Sequence, residues 1–473
     1  MVTTLAIVES NILLLMIILL ICLLSLYVVK PILSVYFLIL FYPLFSGLPN
    51  FYLSDQFPAV NLSRIFIWAI VIIFILKLLV QKEDKSFWDT PFMSLIITLC
   101  SGMIFATIFS YDKVISIKAL ISFLFQSIVV FFAISYFIKS HKEVYHALKV
   151  FLLCAVIIAV FGIIEFMLGK NPIQNLLAIN INWSTEYALR GGYARIASFI
   201  GNPVGLGNFL ILTFTFFLFN QKNRLLQPMH SQTFFVFILF LILATAFLSL
   251  TRGVWLAGIL VLAIYPLMQR GIERIPLVAI IFLFIIFIII PDRTGIIDYF
   301  QEEVINNMIG IGVRYDAVGS RWELLKNALD YFYERPLFGY GLGVPYYYVI
   351  RRMETSANPF VYGGSLYGLE NDTADVLLSV GICGAVVYYI FLFGFLFKLI
   401  KHYAICVNRE HAKLYLGAGM FIISYIILGF AVGNFPYSNF LLLIIMLAII
   451  NKSIVLDVRI QNKIEPHKIH YEY

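Results

Sequence analysis

Between Arg224 and Arg270 the chain carries a single formally charged side chain, Arg252, in the middle of the apolar run around Ser249-Leu-Thr-Arg-Gly-Val-Trp255. An arginine kept at membrane depth is costly unless an anion or polar partner meets it, so the chemistry it offers is stabilisation of negative charge. A snorkelling interfacial arginine is the other reading. Arg321 is a second candidate. Ser320-Arg-Trp-Glu323 forms a capping box, with Ser320 as N-cap and Glu323 at N3, and opens a helix to about Glu334, where Pro336 stops it. The free N–H groups and positive dipole end of that first turn suit an anion, and an arginine beside them completes a phosphate site. A well-capped surface helix with a solvated Arg321 accounts equally for the pattern. The same stretch is rich in aromatics, including Tyr340, Tyr346, Tyr347 and Tyr367. Such rings stack on apolar sugar faces while their hydroxyls hydrogen-bond, or they serve as packing and an interfacial belt. Gly339-Tyr-Gly-Leu-Gly343 reads as a tight turn, since no Gly-Lys-Ser/Thr follows it.

The elements that position these residues are membrane helices. A hydrophobic fraction of 62%, a charged fraction of 12% and a mean hydropathy of +0.94 exclude a soluble globular domain. One crossing needs roughly 20 residues, so the run from Phe234 to Met268 is two short crossings that turn at Thr251-Arg252-Gly253. Apolar runs predict spans near 10–29, 31–46, 64–80, 90–110, 115–138, 145–168, 203–220, 233–250, 253–269, 274–291, 373–400, 412–431 and 437–451. The fold class is therefore all-α and polytopic, with about 12–13 transmembrane helices. Residues 1–291 form an N-terminal bundle, 292–372 one large loop containing short helices, and 373–473 the C-terminal helices and tail; a second long loop covers 169–202. The first segment is expected to be a retained anchor, because it lacks a basic n-region and a small-residue cleavage site.

Alternating the faces collects Lys30, Lys82, Lys139, Lys142, Lys222, Arg224, Arg270, Lys401 and Arg409 on one side, which marks it as cytoplasmic. Arg252 and both long loops then face outward. The seven histidines fall on the cytoplasmic side, so outward chemistry has no histidine base and no histidine-ligated metal. The long loops contain no Asp-x-Asp pair, so arginines rather than a metal are left to neutralise any diphosphate, and no cofactor is expected. The net charge of +7 follows from loop lysines and arginines, without a basic run or zinc-finger spacing that would indicate nucleic acid. The five cysteines form neither a disulfide framework nor a metal motif.

Across residues 190 to 400 the chain resembles the O-antigen polymerase and O-antigen ligase superfamily of bacterial integral-membrane glycan transferases. The motifs are Arg195-Ile-Ala-Ser-Phe-Ile-Gly-Asn-Pro203, Ser249-Leu-Thr-Arg-Gly-Val-Trp255, and Gly319-Ser-Arg-Trp322 followed by Arg335-Pro-Leu-Phe-Gly-Tyr-Gly-Leu-Gly343. Asn202 as N-cap and Pro203 at N1 make independent physical sense. A fourth element departs from the pattern: Glu370-Asn371, nine residues, then Gly381-Ile-Cys-Gly384, with glutamate where ligases resemble His-Asn.

The resemblance implies a polymerase of O-antigen, capsular or teichuronic type in the bacterial cytoplasmic membrane. It would move a growing glycan from a polyprenyl (undecaprenyl) diphosphate carrier to a sugar hydroxyl of another lipid-linked repeat at the outer face, with inversion and without a metal. Arg195, Arg252 and Arg321 would stabilise the leaving diphosphate, and Tyr340, Tyr346, Tyr347 and Tyr367 would hold sugars. Glu370 or Asp372 would accept the hydroxyl proton, or, with Asn371, simply cap the next helix. Partners would be the lipid-linked donor and acceptor, membrane lipids, and a chain-length regulator and a flippase as candidate associates, with no nucleic acid. Ligase-type transfer to a lipid or protein acceptor is the alternative; a lipid-linked oligosaccharide flippase is the alternative outside enzymes.

Overall fold

The computed structural model describes residues 18–48, 62–80, 90–172, 189–190, 193–227, 231–268, 326, 328–345, 371–430 and 438–464. Among them are twelve apolar helices. Six are long and apolar enough to cross a bilayer: α3 (Leu62–Val80), α5 (Lys113–Phe137), α6 (His141–Leu168), α10 (Asp372–Ile405), α11 (Arg409–Gly429) and α12 (Ser438–Ile464). Six are shorter: α1 (Ile18–Val29), α2 (Ile32–Phe45), α4 (Met93–Ile108), α7 (Pro203–Phe219), α8 (Gln232–Leu248) and α9 (Arg252–Met268). The chain is an all-α polytopic membrane protein. The exception among the described residues is a hairpin of two-residue strands, β1 (Leu189–Arg190) and β2 (Tyr193–Ala194), paired antiparallel.

Each helix coincides with an expected span, and the expected span 274–291 lies outside the described residues. The largest departure is α12, expected to end near 451 and running to Ile464. Apolar character fades at Asn451-Lys-Ser453, yet backbone hydrogen bonding continues past it, and Lys452 itself stays buried. Of the loop helix expected up to Glu334, residues 328–334 are helical; its N-terminus with Ser320 and Arg321 lies outside the described residues.

Helix α10 packs on α4 and α11, α7 on α8 and α11, and α6 on α2, α8 and α12. Large apolar side chains such as Leu79, Ile97 and Phe397 remain exposed on the outside, as lipid contact requires. Because successive helices reverse direction, their ends sort into two faces. One face holds the ends of α2, α4, α6, α8 and α11 and the starts of α5, α7, α9 and α10. It is tied together by the Gly47 N–H to Phe199 O (3.2 Å), the Tyr111 N–H to Tyr340 O (2.8 Å) and Asn371 Nδ2 to Phe430 O (3.2 Å). The opposite face is tied by Asn223 Nδ2 to Glu410 O and Lys413 Nζ to Lys222 O, both 3.0 Å. It gathers Lys30, Lys139, Lys142, Lys222, Arg224, Lys401 and Arg409 at helix ends.

Candidate functional site

The entry to α7 is built as the sequence predicts. The Asn202 side chain accepts the N–H groups of Val204 (2.8 Å) and Gly205 (3.4 Å), and Pro203 occupies the first helical position, where no N–H is needed. The strap before it, Arg195 to Gly201, is pinned onto α6. Buried Glu165 accepts the N–H of Ala197 (3.2 Å) and of Ser198 (2.6 Å), Asn171 Nδ2 donates to Ser198 O (3.1 Å), and Ser198 Oγ donates to Ile158 O (2.8 Å). Glu165→Ala would leave two buried amides without acceptors, at about 1–3 kcal/mol for each unsatisfied group. We expect it to lower the unfolding midpoint in detergent and to loosen the strap; an unchanged midpoint would show that Glu165 does not hold it.

The strap delivers Arg195 to the turn between α8 and α9. Only 9% exposed, Arg195 donates from Nε to Ser249 O (3.2 Å) and from Nη2 to Thr251 Oγ1 (3.0 Å). A helix end leaves carbonyls unpaired and carries partial negative charge, so a guanidinium is a fitting partner. Two terminal carbonyls of α8 are also engaged by side chains: Ser249 Oγ donates to Ala246 O (2.7 Å) and the Trp255 indole to Phe247 O (2.9 Å), with the Trp255 and Phe247 rings stacked. Among the described residues, the non-glycine positions with positive φ are Ser198 and Leu250, both at 50°. One lies in the strap and one in the turn it grips, and such strain persists only where surrounding contacts over-determine it. The turn ends at Arg252, the first residue of α9, whose side chain lies outside the described residues.

A second assembly on the same face joins the segment 335–345 to a break in α10. Gly381 has φ 64° and ψ −170° inside the helix, which frees backbone groups on either side. The passing segment takes them up: the Tyr340 N–H donates to Leu378 O (2.8 Å), Gly341 N–H to Ser379 O (2.9 Å), Ile382 N–H to Pro336 O (2.8 Å) and Cys383 N–H to Leu337 O (3.1 Å). Gly339-Tyr-Gly-Leu-Gly343 is a tight turn, as expected, with positive φ at all three glycines. A Cβ on Gly341 would stand 2.0 Å from Ser110 Oγ. Tyr340 is buried; its hydroxyl donates to Glu334 Oε2 (2.5 Å), and its carbonyl accepts from Ser110 Oγ (2.9 Å). Burial first, and then the Glu334 carboxylate, hold its phenol well above the usual tyrosine range, so it stays a neutral donor. Arg335 sits over the Tyr111 ring at 5.0 Å and the Tyr340 ring at 5.8 Å. Tyr340 therefore positions this turn.

At the start of α10, Asn371 is the N-cap, accepting the Ala374 N–H at 3.0 Å. Asp372 and Asp375 in the first turn complement the helix dipole. Asp372 is buried and accepts the Tyr388 hydroxyl (2.8 Å), which lies 3.2 Å from the Tyr425 hydroxyl. The structure thus joins Arg195 to the turn that carries Arg252 and joins Tyr340 to α10; Glu370, Arg321, Tyr346, Tyr347 and Tyr367 lie outside the described residues. Sequence reasoning missed Glu165, which is the lone charge between Lys149 and Lys170 but stands near the end of its apolar run rather than at its middle. Asn171, Tyr388 and Tyr425 gave no such signal, and Arg335 was legible only as the first residue of the Arg335–Gly343 motif.

No curated protein matches the chain. The family model described as O-Antigen ligase matches residues 237–389, about a third of the sequence, from α8 through the turn at Arg252 to the broken helix α10. The strap bearing Arg195 precedes the matched segment and is bound to it by the two guanidinium hydrogen bonds. In this multi-pass membrane protein the stretch 237–389 is similar to the O-antigen ligase family model, which supports a membrane glycan polymerase or ligase role.

Proposed function

We propose that the protein is a polymerase of lipid-linked glycan repeats, active at the outer face of the cytoplasmic membrane. The observation that carries the reading is the buried Arg195 guanidinium on Ser249 O and Thr251 Oγ1, which fixes the turn presenting Arg252. In the reaction, the acceptor hydroxyl oxygen forms a bond to the anomeric carbon as the bond from that carbon to the carrier diphosphate breaks. The hydroxyl proton passes to a carboxylate, and polyprenyl diphosphate leaves with its added negative charge. Arg195, Arg252 and Arg321 stabilise that charge where bulk water is excluded and Coulomb interactions are strong. The start of α9 contributes further, because its first N–H groups and dipole favour an anion. The absence of an Asp-x-Asp pair from the long loops supports arginine rather than metal neutralisation.

Glu370, next to the cap of α10, is the proposed base. Asp372, buried on Tyr388, orients the helix start, and Tyr346, Tyr347 and Tyr367 hold sugars while Tyr340 holds the turn. The lysines and arginines of the opposite face support placing the turn at Arg252 outside. Purified protein reconstituted with a defined lipid-linked repeat is expected to give a ladder on a gel. No ladder until a separate lipid or protein acceptor is added would establish ligase-type transfer instead. Glu370→Gln is expected to slow turnover by about 10²–10⁴-fold; unchanged turnover would reduce that residue to a cap.

A further inference from the structure

On the face opposite the turn gripped by Arg195, three helices bring His141, His411 and Asp457 together. His141 opens α6 just after its Ser140 cap, His411 lies in the first turn of α11, and Asp457 lies near the end of α12. His411 Nδ1 stands 2.7 Å and His141 Nε2 3.2 Å from the same carboxylate oxygen, Asp457 Oδ1. One ligand atom from each of the three residues lies within 4.8 Å of the others, and the two imidazoles stack at 4.1 Å.

Two features separate this cluster from an ordinary histidine–aspartate pair. Two imidazole nitrogens from different helices converge on one carboxylate oxygen, Asp457 Oδ1. In addition, both ring nitrogens of His141 are buried and neither makes a well-formed hydrogen bond: Nδ1 has no partner, and Nε2 meets only Asp457 Oδ1, at 3.2 Å. Unsatisfied buried polar atoms cost about 1–3 kcal/mol each, so a native structure retains them where something else meets them. The other oxygen, Asp457 Oδ2, accepts the Tyr415 hydroxyl, and the Cys406 thiol lies 3.7 Å from it. That is the outer contact by which a ligating carboxylate is oriented.

We propose that His141 Nε2, His411 Nδ1 and Asp457 Oδ1 bind a divalent first-row transition cation, zinc above all, clasping α6, α11 and α12 together. Two imidazoles and a carboxylate suit zinc, whereas calcium and magnesium want oxygens throughout. Bonds of about 2.0–2.1 Å in a tetrahedron separate ligand atoms by about 3.3 Å. The His141 spacing already fits, and the His411 spacing needs to open by about half an ångström. Three protein ligands leave a fourth position for water or for Cys406 at the rim. Because the ligands come from helices far apart in sequence, the ion would stabilise the folded state over the unfolded chain.

The test uses tag-free full-length protein in detergent, stripped with a chelator, loaded with zinc and freed of excess metal by gel filtration. We expect about one zinc per chain, a higher unfolding midpoint with zinc than without it, and the visible absorption of a tetrahedral site when cobalt replaces zinc. His141→Gln and His411→Gln should each weaken zinc binding by more than about 100-fold, beyond the range of changes in outer contacts. Glutamine keeps a polar side chain facing Asp457, so equal zinc-free unfolding midpoints check that the fold survives. Replacing His467 and His470 in the C-terminal tail by alanine should leave binding unchanged. No zinc retained by the wild type, zinc undiminished in both glutamine variants, or zinc lost from the tail variant would each overturn the site.

Discussion

Arg252→Ala is expected to cut glycan transfer by about 10²–10³-fold, the range for losing one preorganised donor aimed at developing negative charge. Long polymer should disappear and lipid-linked repeats accumulate, while the unfolding midpoint in detergent stays near the wild-type value. The two readouts separate because the backbone of the turn is held by other groups: Arg195 on Ser249 O and Thr251 Oγ1, the Trp255 indole on Phe247 O, and the Ser249 hydroxyl on Ala246 O. Arg195→Lys is the informative companion. A lysine keeps the charge but has no planar fork, so one ammonium cannot reproduce the guanidinium's simultaneous bonds to a carbonyl and a hydroxyl. That variant should lose activity together with stability, because the strained Leu250 turn loses the partner that over-determines it. Normal polymer length in Arg252→Ala would end the assignment of this turn to the diphosphate.

The contrast between Arg252 and Glu165 shows what a single sequence reveals here. Both are lone charges in apolar runs, and the same reasoning about desolvation applies to each. Arg252 stood out because it sits mid-run and forces a turn. Glu165 stands three residues from the end of its run, where a span is free to end on a charge, so nothing marked it as buried. Helix positions followed apolar runs closely, because bilayer thickness fixes their length. The grip of Arg195 on Ser249 joins residues 54 positions apart, and local pattern carries no trace of such contacts. Histidines 141 and 411 were placed on one face by counting charges, but their meeting at Asp457 depends on α12 running past the apolar segment that ended the expected span. Likewise Gly381-Ile-Cys-Gly384 was legible as a motif, whereas the strand-like pairing it makes with residues 336–341 was not.

That pairing leads to the largest expected loss of stability, in Gly381→Ala. With φ at 64° and ψ at −170°, position 381 sits in a region that is essentially glycine-only and costs a side-chain-bearing residue about 1–3 kcal/mol. A Cβ there would also fall 2.4 Å from the Leu337 carbonyl carbon and oxygen, so the helix and the segment docked on it cannot both keep their places. Separating them would break four backbone hydrogen bonds, made by Tyr340, Gly341, Ile382 and Cys383, at about 0.5–1.5 kcal/mol each. The expected result is a clear fall in the unfolding midpoint and faster proteolysis within residues 336–345. Transfer should fall to background, since the same docking seats Arg335 over the Tyr111 and Tyr340 rings. Gly169 supplies the control: its φ is also 64°, but it caps α6 with nothing within 4 Å of a Cβ. Asparagine tolerates that left-handed geometry, so Gly169→Asn should change the midpoint little. If Gly381→Ala kept wild-type stability and polymer length, the break in α10 would be incidental to both fold and site. If Gly169→Asn were as damaging as Gly381→Ala, the loss at Gly381 could not be credited to the docked segment.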